Sequence, residues 1–224
     1  MSRTSFTIAA LTVLAMSSSG TQPVRAGDDQ ALSAAHHLQE RWDRIKFTVP
    51  EGPEQTRQME ALGAEADAAA AQYSDRPEVL IWDGILTSER ASMASPLKAL
   101  SLAKKARDIL EKANAADPKI LDAGAPTSLG VLYYRVPGFP IAFGDKTKAR
   151  HLLEEATHTA PNGLDAWYFY GDFLVEQGDY ATASEALKHA KAIPPRPDRP
   201  EWDKTRRIVI DELLAKVTPH LAKS

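Results

Sequence analysis

Apolar residues recur every third or fourth position along much of the chain. Leu32, Ala35, Leu38, Trp42 and Ile45 form one stripe, and Met59, Leu62, Ala66, Ala69 and Tyr73 form a second. Trp202, Val209, Ile210, Leu213 and Val217 form a third. That spacing places each set on one buried face of an α-helix. Pro50, Gly52 and Pro53 break the chain between the first two stripes, so residues 27–75 read as an N-terminal helix pair. Four prolines in Pro194–Pro200 predict an extended elbow before the third stripe. Beyond it, residues 199–224 read as a capping helix whose outer face carries Asp203, Arg206, Arg207, Asp211 and Glu212.

Between these ends the chain repeats itself. Gly144-Asp145, Ala149, Leu153, Ala156 and Pro161 recur as Gly178-Asp179, Ala183, Leu187, Ala190 and Pro195, each 34 residues later. With Trp167, Tyr170, Gly171, Leu174 and Tyr180, this second set fills the large, small and turn positions of one complete unit, which resembles the tetratricopeptide repeat. An upstream unit reads Leu129, Gly130, Tyr133, Ala149, Leu153, Ala156 and Pro161. Gly130 to Gly171 spans 41 residues, so seven extra residues fall between Gly130 and Gly144, inside the pair. A weaker unit has Gly84, then Ala106, Leu110, Ala113 and Pro118, with a lengthened connection expected around Ala91 to Leu97. Paired helices of this kind cannot bury their apolar faces alone and must stack. The expected fold is all-α: an α-solenoid of about three tetratricopeptide-like helix pairs over 76–198, flanked by the N-terminal pair and the C-terminal helix.

Five segments carry a narrower resemblance: Pro77-Glu-Val-Leu-Ile-Trp-Asp-Gly84, Ser128-Leu-Gly-Val-Leu-Tyr-Tyr134, Val136-Pro-Gly-Phe-Pro140, Phe143-Gly-Asp145 and Tyr168-Phe-Tyr-Gly171. Together they resemble bacterial tetratricopeptide proteins related to the T-component of tripartite ATP-independent periplasmic (TRAP) transporters, over roughly residues 75–215. The resemblance implies a periplasmic helical body with a cavity or groove, paired with a periplasmic solute-binding protein. Those T-components are lipoproteins, whereas this sequence has no cysteine to carry a lipid.

In such a solenoid the first helix of each pair lines the concave face, and the helical period then assigns its outward positions. They are Glu78, Ile81, Ile85, Ser88 and Glu89 in the first unit, and Thr127, Val131, Tyr134 and Arg135 in the second. In the third they are Asp165, Tyr168, Asp172 and Glu176. The expected partner-binding groove is thus mixed acidic and aromatic, with Glu89, Thr127, Tyr134, Arg135, Tyr168, Asp172 and Glu176 as candidate contacts for a basic or polar protein or peptide. The inserted segment Val136–Gly144 is the least generic stretch, since its prolines fix the backbone while Phe139, Ile141 and Phe143 give it an apolar side. Two readings stand: a local plug over its own helix pair, or a wall of a ligand pocket or partner contact.

Composition narrows the function classes. A net charge of −3 argues against a general nucleic-acid binder. The N-terminus reads as an export signal, with basic Arg3, an apolar run from Phe6 to Met16, and Val24-Arg25-Ala26 before Gly27. Cleavage after Ala26 would remove two arginines and no acid, leaving a periplasmic or secreted chain of charge −5 with no membrane span. The absence of cysteine excludes disulfides and thiol chemistry. His36 and His37 diverge on a helix, and His151 and His158 lie two turns apart, so neither pair suits a metal. Glu111 with Arg107 reads as an ordinary helix ion pair. No nucleophile elbow, phosphate loop or zinc helix occurs, and Phe143-Gly-Asp145 reads as a turn with an N-cap aspartate. No catalytic residue, metal or cofactor is expected. The sequence points to an exported adaptor that holds a protein or peptide, or alternatively to a solute-transport accessory with a small molecule in a helical cavity.

Overall fold

Proline and aspartate set the helix starts. The computed structural model describes residues 26–221, and among these are nine α-helices and no strand. They are α1 (Ala26–Thr48), α2 (Pro53–Gln72), α3 (Pro77–Ser92), α4 (Pro96–Ala116), α5 (Ile120–Arg135), α6 (Lys146–Thr159), α7 (Leu164–Gln177), α8 (Tyr180–Ala192) and α9 (Pro200–Leu221). The export signal expected over residues 1–26 lies outside the described residues, save that α1 begins at Ala26. Prolines open α2, α3, α4 and α9, where a missing N–H costs nothing. Asp145 and Asp179 cap α6 and α8, accepting bonds from Thr147 and Lys148 and from Thr182 respectively. Gly178 ends α7 in the left-handed conformation at φ 76°, which a side chain would resist.

The hairpins α3–α4, α5–α6 and α7–α8 share one contact. A side chain on Gly84, Gly130 or Gly171 would run into Leu110, Leu153 or Leu187 respectively, within 2.5–2.7 Å. The three leucines are completely buried, each stabilising the fold by roughly 2 kcal/mol. This recurrence fixes the register of all three units, including the weak first one. The seven extra residues of the second unit form the loop between α5 and α6, as expected. The first unit differs from expectation: only three residues separate α3 from α4, and its extra length is wound into helix, with α4 reaching 21 residues.

The first helices of successive pairs pack side by side, α1 on α3, α3 on α5 and α5 on α7. Lys46 meets Glu89 at 3.0 Å, and Arg135 meets Asp172 at 2.5 Å, so their C-terminal ends share one edge. Residues Ile193–Arg199 form the expected non-helical elbow, after which α9 packs on α8 and α7 and reaches back to touch α1. The charged outer face expected for α9 needs correction: Asp203 is buried, bound to Arg207 and to the backbone N–H of Arg196, and Arg206 turns inward to Asp165. The cause is that α9 packs against α1 and α7 as well as α8, so these side chains meet neighbouring elements.

Helix α5 has an unusual start. Leu121, Asp122 and Ala123 hold φ of 51°, 53° and 59°, a full left-handed turn without a glycine. The right-handed helix begins at Gly124, which places Pro126 in its first turn and explains why a proline is tolerated.

Candidate functional site

Side chains assigned to the groove fall into two groups. Tyr134, Arg135, Asp172 and Glu176 come together at the α5–α7 seam: the Tyr134 hydroxyl donates to Asp172 at 2.6 Å, and Arg135 bridges Asp172 and Glu176. Tyr134 and Asp172 are buried, and burial followed by the Asp172 charge raises the Tyr134 phenol above its ordinary value. Tyr168 is buried too, with the Arg206 guanidinium 4.1 Å from its ring centre. Glu78, expected to face the groove, is buried with an ion pair to Arg76 at 2.7 Å. Tyr134, Tyr168, Asp172 and Glu78 are therefore corrected from exposed groove contacts to interhelical packing, whereas Arg135 and Glu176 pair across the seam and stay exposed. Adjacent first helices touch, so flank positions that the helical period leaves outward become a seam.

The second group does face a space. Ile81, Ile85, Ser88 and Glu89 of α3, Thr127 and Val131 of α5, and Asp165 of α7 line a pocket of about 410 Å³ on the concave side. Thr127 is buried in its wall, and Glu89 is held by Lys46. The far wall was not foreseen. It consists of Trp42, Lys46 and Phe47 from α1, and Arg196, Arg199, Trp202 and Arg206 from the elbow and α9. Trp42 and Trp202 stand in the amphipathic stripes, where spacing reads them only as core; the sole sequence signal was the run of arginines beside tryptophan after the elbow.

Each arginine of this wall is steadied by a carboxylate or a ring. Arg199 makes a bidentate pair with Asp43 at 2.6 and 2.8 Å and lies 4.3 Å from the Trp202 ring centre. Arg196 reaches Asp122 at 3.0 Å and Asp198 at 2.8 Å, and the guanidinium of Arg196 lowers Asp198 to about 2. Arg206 Nε sits 2.7 Å from Asp165 Oδ1, although the N–H does not point along the contact. Of eleven buried side-chain polar atoms without a hydrogen-bond partner among the described residues, six belong to residues lining this pocket. They include the indole nitrogens of Trp42, Trp82 and Trp202 and the Thr127 hydroxyl. Among the described residues, such atoms concentrate in this wall. Leu121 and Asp122, in the left-handed turn, also line it.

Residues 141–206 match the family described as the tetratricopeptide repeat. That stretch is similar to a tetratricopeptide repeat. The matched stretch runs from the inserted loop through α6, α7 and α8 into α9, and the glycine–leucine contacts extend the same tetratricopeptide geometry to α3–α4. No curated protein matches the chain. Tetratricopeptide hairpins are a protein-interaction fold, built to present a surface.

The loop inserted into the second tetratricopeptide unit is rigid and two-sided. Gly144 N–H donates to Pro137 O at 2.9 Å, and a side chain on Gly144 would strike the Val136 carbonyl. Phe143 turns inward, edge-on to Tyr133 at 5.6 Å between centres, with Arg107 stacked 4.7 Å above it. Arg107 pairs with neighbouring Asp108, not with Glu111 as expected; Glu111 instead accepts from Tyr133 and Lys148. Phe139 turns outward and is 92% exposed, and Ile141 is 68% exposed. The loop therefore neither plugs its hairpin with these two residues nor lines the pocket.

On the side facing away from the pocket, Asp83 is buried beside the network in which Arg90 binds Glu60 and Asp67 and Lys105 binds Asp67. Burial, then the Asp67 charge, raises Asp83 to about 6. Among the described residues no three His, Asp or Glu side chains converge as a metal site, and no helix is long and apolar enough to cross a membrane.

Proposed function

We propose that this is an exported, non-catalytic binding protein that holds a small amphipathic molecule in the pocket on the concave face of its tetratricopeptide solenoid. The supporting observation is the pocket itself. Helices α1 and α9 narrow what would be an open groove to about 410 Å³, a volume in the range of small-molecule sites and too small for an extended peptide. Its apolar side chains, chiefly Trp42, Trp82, Phe169 and Trp202, suit the body of such a ligand, and its arginines and carboxylates suit a polar end. The resemblance to TRAP T-components fits a solute-handling accessory that works beside a periplasmic solute-binding protein. Native mass spectrometry of the protein taken from its own periplasm tests this: a bound species of small mass is expected, lost on unfolding. A protein that is always empty, with tryptophan emission unmoved by periplasmic small-molecule extract, would count against the pocket as a ligand site.

A second reading, contact with a protein partner, is favoured by the exposed loop tip. Rigid apolar side chains held away from the body make low-entropy anchors. Phe139→Ser should then weaken partner capture while leaving stability within about 0.5 kcal/mol, as at most surface positions. Phe143→Ser should instead destabilise the fold by about 2–3 kcal/mol through lost packing on Tyr133. Equal capture by the natural chain and Phe139→Ser would remove the partner reading.

A further inference from the structure

The helix contacts follow one rule with one exception. Every packed pair joins elements no more than two places apart in chain order, as in α3 with α4 or α5 with α7. The exception is α1 with α9, which closes the stack on itself. Stacks held only by neighbours are soft in curvature, because each interface contributes a small, independent rotation. A contact between the two ends fixes that curvature, and with it the size of the space enclosed.

The closing contact is small and centred on one side chain. Arg199 forms the bidentate pair with Asp43 of α1 and lies against Trp202 of α9 and, 6.0 Å from its ring centre, Trp82 of α3; Trp82 in turn stands 5.7 Å from Trp42 of α1. One guanidinium thus lies beside tryptophans of two helices, with the tryptophan of a third next to Trp82. The closed arrangement also buries the indole N–H groups of all three tryptophans away from any protein acceptor, and the left-handed turn at Leu121–Ala123 lies in the adjoining wall. The closing contact is thus narrow, one ion pair and the rings beside it, as expected of elements drawn from the low-stability end of a fold.

We propose that Asp43 and Arg199 form a clasp that gates the pocket: when they part, the solenoid relaxes its curvature and admits the ligand, and when they rejoin, the ligand is enclosed. The gate rests on the reading of the pocket as a ligand site, but its opening can be measured without any ligand. The chain lacks cysteine, so Asp43→Cys with Arg199→Cys introduces the only two thiols. A short bis-maleimide can join them, spanning the length of the lost side chains that a disulfide would not reach. Two readouts apply: acrylamide quenching of tryptophan emission, since three of the four tryptophans line the pocket, and the uptake rate of the dye 1-anilinonaphthalene-8-sulfonate.

The joined protein should take up dye about tenfold more slowly than the same variant capped singly with N-ethylmaleimide, and its tryptophans should be less quenched. Arg199→Gln, checked for a cooperative melt, should take up dye faster than the natural chain. Equal uptake by joined and capped forms overturns the gate while leaving the pocket intact. Absence of dye binding together with quenching that falls on joining upholds the gate and removes the ligand reading. Absence of dye binding with unchanged quenching overturns both.

Discussion

Asp83 carries a charge in a place that resists it. Its carboxyl is raised to about 6 by burial and by the neighbouring Asp67, above the ordinary aspartate value it regains on unfolding. Between about pH 4 and 6 the folded chain therefore holds a proton that the unfolded chain has lost, so this site removes stability as pH rises through that window. Asp83→Asn should raise stability at pH 7 by roughly 1–3 kcal/mol and leave it little changed at pH 4, as thermal melts at both values would show. The left-handed turn offers a second test. Each non-glycine residue there costs about 1–2 kcal/mol, and Asp122 is exposed with an ion pair to half-buried Arg196 that contributes little. Asp122→Gly should stabilise the chain by about 1 kcal/mol, and a lower melting temperature would contradict the strain argument. Neither feature is legible in sequence. Leu-Asp-Ala is an ordinary helical tripeptide, and nothing local marks Asp83 as buried. Tyr134, Arg135, Asp172 and Glu176 read as outward groove positions because the helical period decides which way each points on its own helix, but it does not say that α5 and α7 meet there and pair them with one another.

Individual helices were more readable than their surroundings. Prolines at first positions, aspartate caps and the glycine after α7 punctuate the chain through backbone chemistry that tertiary contacts rarely override. The glycine–leucine contact also survives in sequence because it demands one residue type at each side. Gly130→Ala should destabilise by about 1–3 kcal/mol, since the added methyl meets the Leu153 side chain at 2.6 Å. The double variant with Leu153→Ala should lose less stability in chemical denaturation than the sum of the two single losses, giving a coupling that identifies the contact. The extra length of the first unit was misplaced into a loop because a helix can lengthen without leaving a mark; Pro96 starts α4 at the same kind of position whether it runs for two turns or five. The inserted loop was located correctly, but spacing could not decide that Phe143 turns in and Phe139 turns out, which depends on Arg107 and Tyr133 across the neighbouring helix.

Closure of the stack is a property of the whole. Sequence reveals which helices are neighbours, whereas the meeting of α1 with α9 depends on small rotations accumulated over seven intervening helices. For that reason nothing local in the sequence brings Arg199 and Trp202 to the pocket wall, whereas the helical period points Thr127 and Glu89, expected as groove contacts, toward the same space. The same pattern of contacts has a mechanical consequence. Pulled by its two ends in an optical trap, the protein should yield first at a weak event with little lengthening, as Asp43 and Arg199 separate. It should then give way in larger steps, one hairpin after another from the outside inward, because no hairpin is tied to any but its neighbours. Arg199→Gln should erase the first event and leave the staircase that follows it untouched.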